Sequence, residues 1–106
     1  MNSLFMDILQ AIRSEFNKPM IITSGFRSRN HSVEKHKTSF GEHTLGVAAD
    51  ILCNGQDAIR LIELAFNHQL RRVGLNQKGD HNQRFIHLGI GNIILPMRFK
   101  AAIWTY

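Results

Sequence analysis

The run Val47-Ala48-Ala49-Asp50-Ile51-Leu52 constrains this chain more than any other short segment. Such an apolar run, bounded by turn-forming residues, reads as a buried strand. Its one polar member is a carboxylate. Burying an unpaired carboxylate costs on the order of several kcal/mol unless the group is paired or coordinates a metal. Three resolutions fit the residues: a salt bridge to one of the arginines, a strand-end position facing water, or a bound metal ion.

The chain has 106 residues, which predicts a single domain over 1–106. Hydrophobic residues make up 43% and charged residues 20%, a globular and not a disordered composition. Eight Gly and two Pro exclude collagen-like repeats, and no apolar run approaches the ~20 residues of a membrane span. A single cysteine, Cys53, excludes an internal disulfide and any zinc finger built on paired cysteines. A metal would therefore need His and carboxylate ligands, and six His are present. Lys plus Arg is 13 and Asp plus Glu is 8, a net charge of +5 that suits an acidic polymer: nucleic acid, a membrane surface or an anionic cell wall. The first residues carry no basic stretch, and Asp7 interrupts the apolar ones, so they do not read as a signal peptide.

Residues 3–16 have helical spacing, with a stripe of Leu4, Ile8 and Ile12 beside Phe5, Leu9 and Phe16, ended by Pro19. Residues 20–23 read as a short buried strand and Ser24-Gly25 as a turn. Residues 26–46 are polar, basic and non-periodic; so long a loop is either a solvated basic loop or the wall of a site. After the strand at 47–52, Asn54 is placed to cap a helix over 55–68, with Asp57 as a capping-box partner. Its predicted stripe is Ile59, Leu61, Ile62, Ala65 and Phe66. Strands at 72–75 and 84–90 flank a hairpin loop at 77–82, and the apolar tail 101–106 is expected to pack back on the core. The fold class is α+β, a small antiparallel sheet flanked by helices.

Three further residues carry chemistry. His87 lies mid-strand, sharing one face with Phe85 and Gly89 while Ile86, Leu88 and Ile90 share the other. His43 lies seven residues before Asp50, and Gly46 lets the chain turn between them. His43, Asp50 and His87 make a two-His, one-carboxylate set; catalytic zinc takes three protein ligands and keeps a fourth position for water. Arg27 follows the Ser-Gly turn, where a guanidinium can grip a carboxylate bidentately or simply be solvated.

Three segments resemble the zinc D-Ala-D-Ala carboxypeptidase family: Thr23-Ser24-Gly25-Phe26-Arg27-Ser28, the stretch Gly41-Glu42-His43-Thr44-Leu45-Gly46-Val47-Ala48-Ala49-Asp50-Ile51, and Phe85-Ile86-His87-Leu88. The wider group includes bacteriophage L-alanyl-D-glutamate endopeptidases and the Hedgehog signalling domain. The likeness covers about residues 20–90, in the family's order: a Ser-Gly-(Tyr/Phe)-Arg turn, a His-x-x-Gly-x-Ala-x-Asp segment and a late His-x-Asp strand. Trp104 resembles a tryptophan common near the end of these domains.

The resemblance implies a Zn2+ ion held by His43, Asp50 and His87, with Arg27 binding substrate or stabilising an oxyanion. It places the general base or acid a few residues before the last ligand, where this chain has Asp80, His81 and Arg84; His81 is the first choice and Asp80 the second. Two departures stand out. Gly89 replaces the family's Asp, and no glutamate fills the general-base window.

The expected function is a zinc peptidase hydrolysing peptidoglycan stem peptides or cross-bridges. The expected protein is a phage- or bacterium-encoded monomer, made in the cytoplasm and acting at the cell wall. The alternative is a weak or inactive zinc-binding domain of the same fold that binds a partner, and Gly89 is its main support. A nucleic-acid-binding role rests only on charge and the basic loop, without an Arg-rich recognition helix or many aromatics for stacking.

Overall fold

A computed structural model describes residues 2–24 and 45–106. Along them run α1 (Ser3–Phe16), β1 (Ile21–Ser24), β2 (Ala48–Leu52), α2 (Gly55–Asn67), β3 (Arg72–Asn76), a 3-10 turn at His81–Gln83, β4 (Phe85–Gly89), the short α3 (Gly91–Ile94) and β5 (Ala102–Thr105). None of these helices is long and apolar enough to cross a membrane.

The five strands form one sheet in the order β1-β2-β4-β3-β5. The pairs β1·β2, β2·β4 and β3·β4 are antiparallel, whereas β3·β5 is parallel. The architecture is α+β as expected, but the sheet is mixed. The chain between β3 and β5 crosses β4 and α3 before returning, so the tail comes back in the same direction as β3.

One face of the sheet carries Ala49, Ile51, Val73, Ile86 and Leu88, all essentially inaccessible, packed with the buried stripes of α1 and α2. Helix α1 buries Phe5, Leu9, Ile12 and Phe16. The Asn2 side chain accepts from the Phe5 amide at 3.0 Å and so satisfies an otherwise orphaned N-terminal donor. Asn17 closes the helix in the left-handed conformation at φ 57°, two residues before Pro19.

Several local expectations give way to tertiary ones. Strand β1 is an edge, and Ile21 is 58% exposed, not buried. The buried stripe of α2 is Ala58, Leu61, Leu64 and Ala65, while Ile59 and Phe66 face outward. Ala58 and Ala65 are small enough to let α2 approach its neighbours closely. Asn54 begins α2 but makes no side-chain cap; its amide donates instead to the His81 carbonyl at 3.1 Å. Asp57 pairs with Lys18 at 2.7 Å. The tail adds as an edge strand, largely exposed, instead of entering the core.

Candidate metal centre

Side chains alternate across a strand, so residues flanking the core positions of β2, β3 and β4 point to the opposite face. There the register lines up one residue from each of four strands: Asp50 opposite His87, His87 opposite Gly74, and Gly74 opposite Trp104. On the outer side of this row, Ser24 of β1 is the register partner of Asp50.

Asp50 and His87 are the two buried polar residues of the described chain, at 6% and 4% exposure. His87 Nδ1 lies 3.1 Å from Asp50 Oδ1. This spacing is that of a hydrogen bond, and it also passes a test for a shared ion. Two donors each bonded at ~2.0–2.1 Å to a tetrahedral zinc lie about 3.3 Å apart. A carboxylate oxygen and an imidazole nitrogen are the donor types such an ion takes. Among the described residues, a histidine thus partners Asp50.

The other side of His87 meets Trp104. The two rings are tilted at 54° with centroids 5.0 Å apart. Gly74 makes this possible: a Cβ built there would lie 2.5 Å from Trp104 Nε1, so only glycine leaves the indole room to cross the strand. Beyond the indole, the Arg72 guanidinium sits 5.3 Å from the Trp104 ring and 5.1 Å from the Phe99 ring, within cation–π range. Arg72 Nη1 also donates to the Lys100 carbonyl at 2.6 Å. Gly89 is the register partner of Ala48 and Arg72, so the strand position two beyond His87 brings no carboxylate.

His81 and Asp80 occupy the exposed turn before β4. Neither is hydrogen-bonded to Asp50 or His87. The turn is tied to the end of β2 by the Asn54–His81 bond and by Gln77 Nε2, which donates to the Cys53 and Phe85 carbonyls at 3.1 Å each. His81 lines a cavity of about 400 Å³ together with Leu52, Cys53, Asn54 and Asp57. Burial, then the nearby Asp57 charge, push the Cys53 thiol from 9.0 up to about 12. His68 bonds Glu15 at 2.9 Å on the helical side. His43 and Arg27, with His31 and His36, lie outside the described residues. Among the described residues no third His, Cys, Asp or Glu joins the Asp50–His87 pair.

Reading residues singly missed Gly74 and Arg72. The available signal was a glycine in mid-strand, which often marks a close approach by another group.

A family model described as Peptidase M15 matches residues 2–89, taking in both members of the pair. No curated protein matches the chain.

Proposed function

This chain belongs to the M15 peptidase family, and from that premise we propose that it hydrolyses peptide bonds in peptidoglycan stem peptides or cross-bridges. M15 peptidases are zinc-dependent, and the residues proposed to hold the ion are His43, Asp50 and His87. The observation that carries this reading is the buried Oδ1–Nδ1 spacing of 3.1 Å between Asp50 and His87. Zinc bound there supplies Lewis acidity toward a peptide carbonyl and acidifies a water at neutral pH.

The chain's own groups have distinct tasks in this scheme. Asp50 and His87 present one oxygen and one nitrogen from two rigid, central strands, which fixes their spacing better than a loop would. Arg27 is proposed to bind a substrate carboxylate or the oxygen that becomes negative during attack. His81, or failing that Asp80, is proposed to take a proton from the attacking water and return it to the leaving amine. The bonds from Asn54 and Gln77 hold the turn that bears them. The net charge of +5 favours approach to an anionic wall, which supports action at the bacterial cell wall and a role in lysis.

Gly89 favours a second reading, a zinc-binding domain without appreciable peptidase activity, because a neighbouring carboxylate that would orient His87 is missing from its strand. Mass spectrometry of muropeptides separates the two. The zinc-loaded protein is expected to release new stem-peptide fragments from purified peptidoglycan, and chelator is expected to stop it. Zinc bound with no new fragments favours the second reading and overturns the first.

A further inference from the structure

A buried imidazole that is to meet an ion must be held in one orientation. In most metal sites the orienting contact is a hydrogen bond from a carboxylate or carbonyl behind the ring. Here Asp50 already stands on the proposed ion side of His87. The aromatic contact across the sheet is with Trp104.

We propose that Trp104 is the positioning residue of the Asp50–His87 pair, its indole fixing the imidazole plane from across the side-chain-free floor of Gly74. The proposal rests on the reading of that pair as metal-holding. Three observations carry it. The indole and imidazole are in ring contact at 5.0 Å. Gly74 leaves the indole the space it occupies beside His87, since any Cβ there would collide with it. The Arg72 guanidinium, itself fixed by the Lys100 carbonyl and the Phe99 ring, braces the indole at 5.3 Å. The sequence Phe99, Arg72, Trp104, His87, Asp50 is thus one continuous stack, ending at the carboxylate.

Trp104 is the only tryptophan of the chain, so indole emission reports on this place alone. The test uses the chelator-treated 106-residue chain titrated with Zn2+, and separately with Co2+, which quenches nearby indoles. Wild type is expected to bind one Zn2+, and one equivalent of Co2+ is expected to quench emission. Trp104→Leu is expected to keep its far-ultraviolet circular dichroism and to bind Zn2+ ~10-fold or more weakly, the usual effect of losing an orienting contact. Trp104→Phe, which keeps a ring against the imidazole, is expected to restore most of that affinity. A merely structural role would lower the melting temperature of Trp104→Leu without moving the zinc affinity of its folded form. Wild type that binds zinc, with folded Trp104→Leu binding it equally tightly, overturns this inference alone. Co2+ that binds the wild type without quenching overturns it as well. Failure of the wild-type chain to bind zinc overturns the proposed function together with the inference.

Discussion

Asp50 on β2 and His87 on β4 are direct register partners, and their side chains meet at 3.1 Å on the sheet face turned away from the helices. A carboxylate and an imidazole buried side by side depend on each other. Removing either leaves the other buried without that partner, which costs about 1–3 kcal/mol. Asp50→Ala and His87→Ala are expected to lower stability by that much in urea denaturation with chelator present. The double variant is expected to lose less than the sum, because the two groups interact. Strict additivity would show that the pair is not coupled.

Gly74→Ala, at a buried position of the interior strand β3, is expected to be costly. Its Cβ would stand 2.5 Å from Trp104 Nε1, and the indole must move. Overpacking of this kind costs about 1–3 kcal/mol. The accompanying sign is a red shift of Trp104 emission as the ring leaves His87 for water. Unchanged emission would contradict the placement of the indole.

Cys53 gives a pH prediction. Its thiol is raised from 9.0 to about 12 by burial and by the Asp57 charge. Above 9.0 the unfolded chain has shed this proton while the folded chain retains it. The folded form therefore loses stability from this group as pH rises from 9.0 towards 12, and nothing below that window. The same shift predicts slow alkylation: near pH 9 the native thiol is expected to react ~100- to 1,000-fold more slowly than the unfolded one. Equal rates in native buffer and in denaturant would contradict it.

Lys18 and Asp57 form the shortest ion pair described, at 2.7 Å, yet their side chains are 58% and 43% exposed. Water and salt screen such pairs, so Lys18→Ala is expected to cost no more than about 1 kcal/mol. A loss as large as that of Asp50→Ala would show that exposed pairing matters more here than burial.

Much of the sheet was legible from alternation alone. Ile86, Leu88 and Ile90 against His87 divide the two faces of β4 correctly, because a polar residue inside an apolar strand marks a parity. What escaped depended on partners distant in the chain. Ile21 and Ile22 are consecutive apolar residues, which suggests a covered strand, yet β1 is an edge of the sheet. Asn54 has the local pattern of a helix cap, but the His81 carbonyl, far along the chain, takes its amide. In α2 the largest residues suggested one stripe, whereas close packing selected the face bearing Ala58 and Ala65.

The candidate site divides along the same line. Asp50 and His87 were conspicuous singly, since each is a polar residue among apolar neighbours. The Gly74–Trp104 crossing was not, because it follows from the registers of β3 with β4 and with β5, one of them parallel. No local pattern encodes a parallel pairing made by the last few residues.

Zinc content measured on purified protein, wild type beside Asp50→Ala and His87→Ala, tests the central claim most directly. One zinc per wild-type chain, lost in both variants while their circular dichroism remains that of a folded protein, is the predicted result. A wild-type chain without zinc, or variants that retain it in full, would contradict the account.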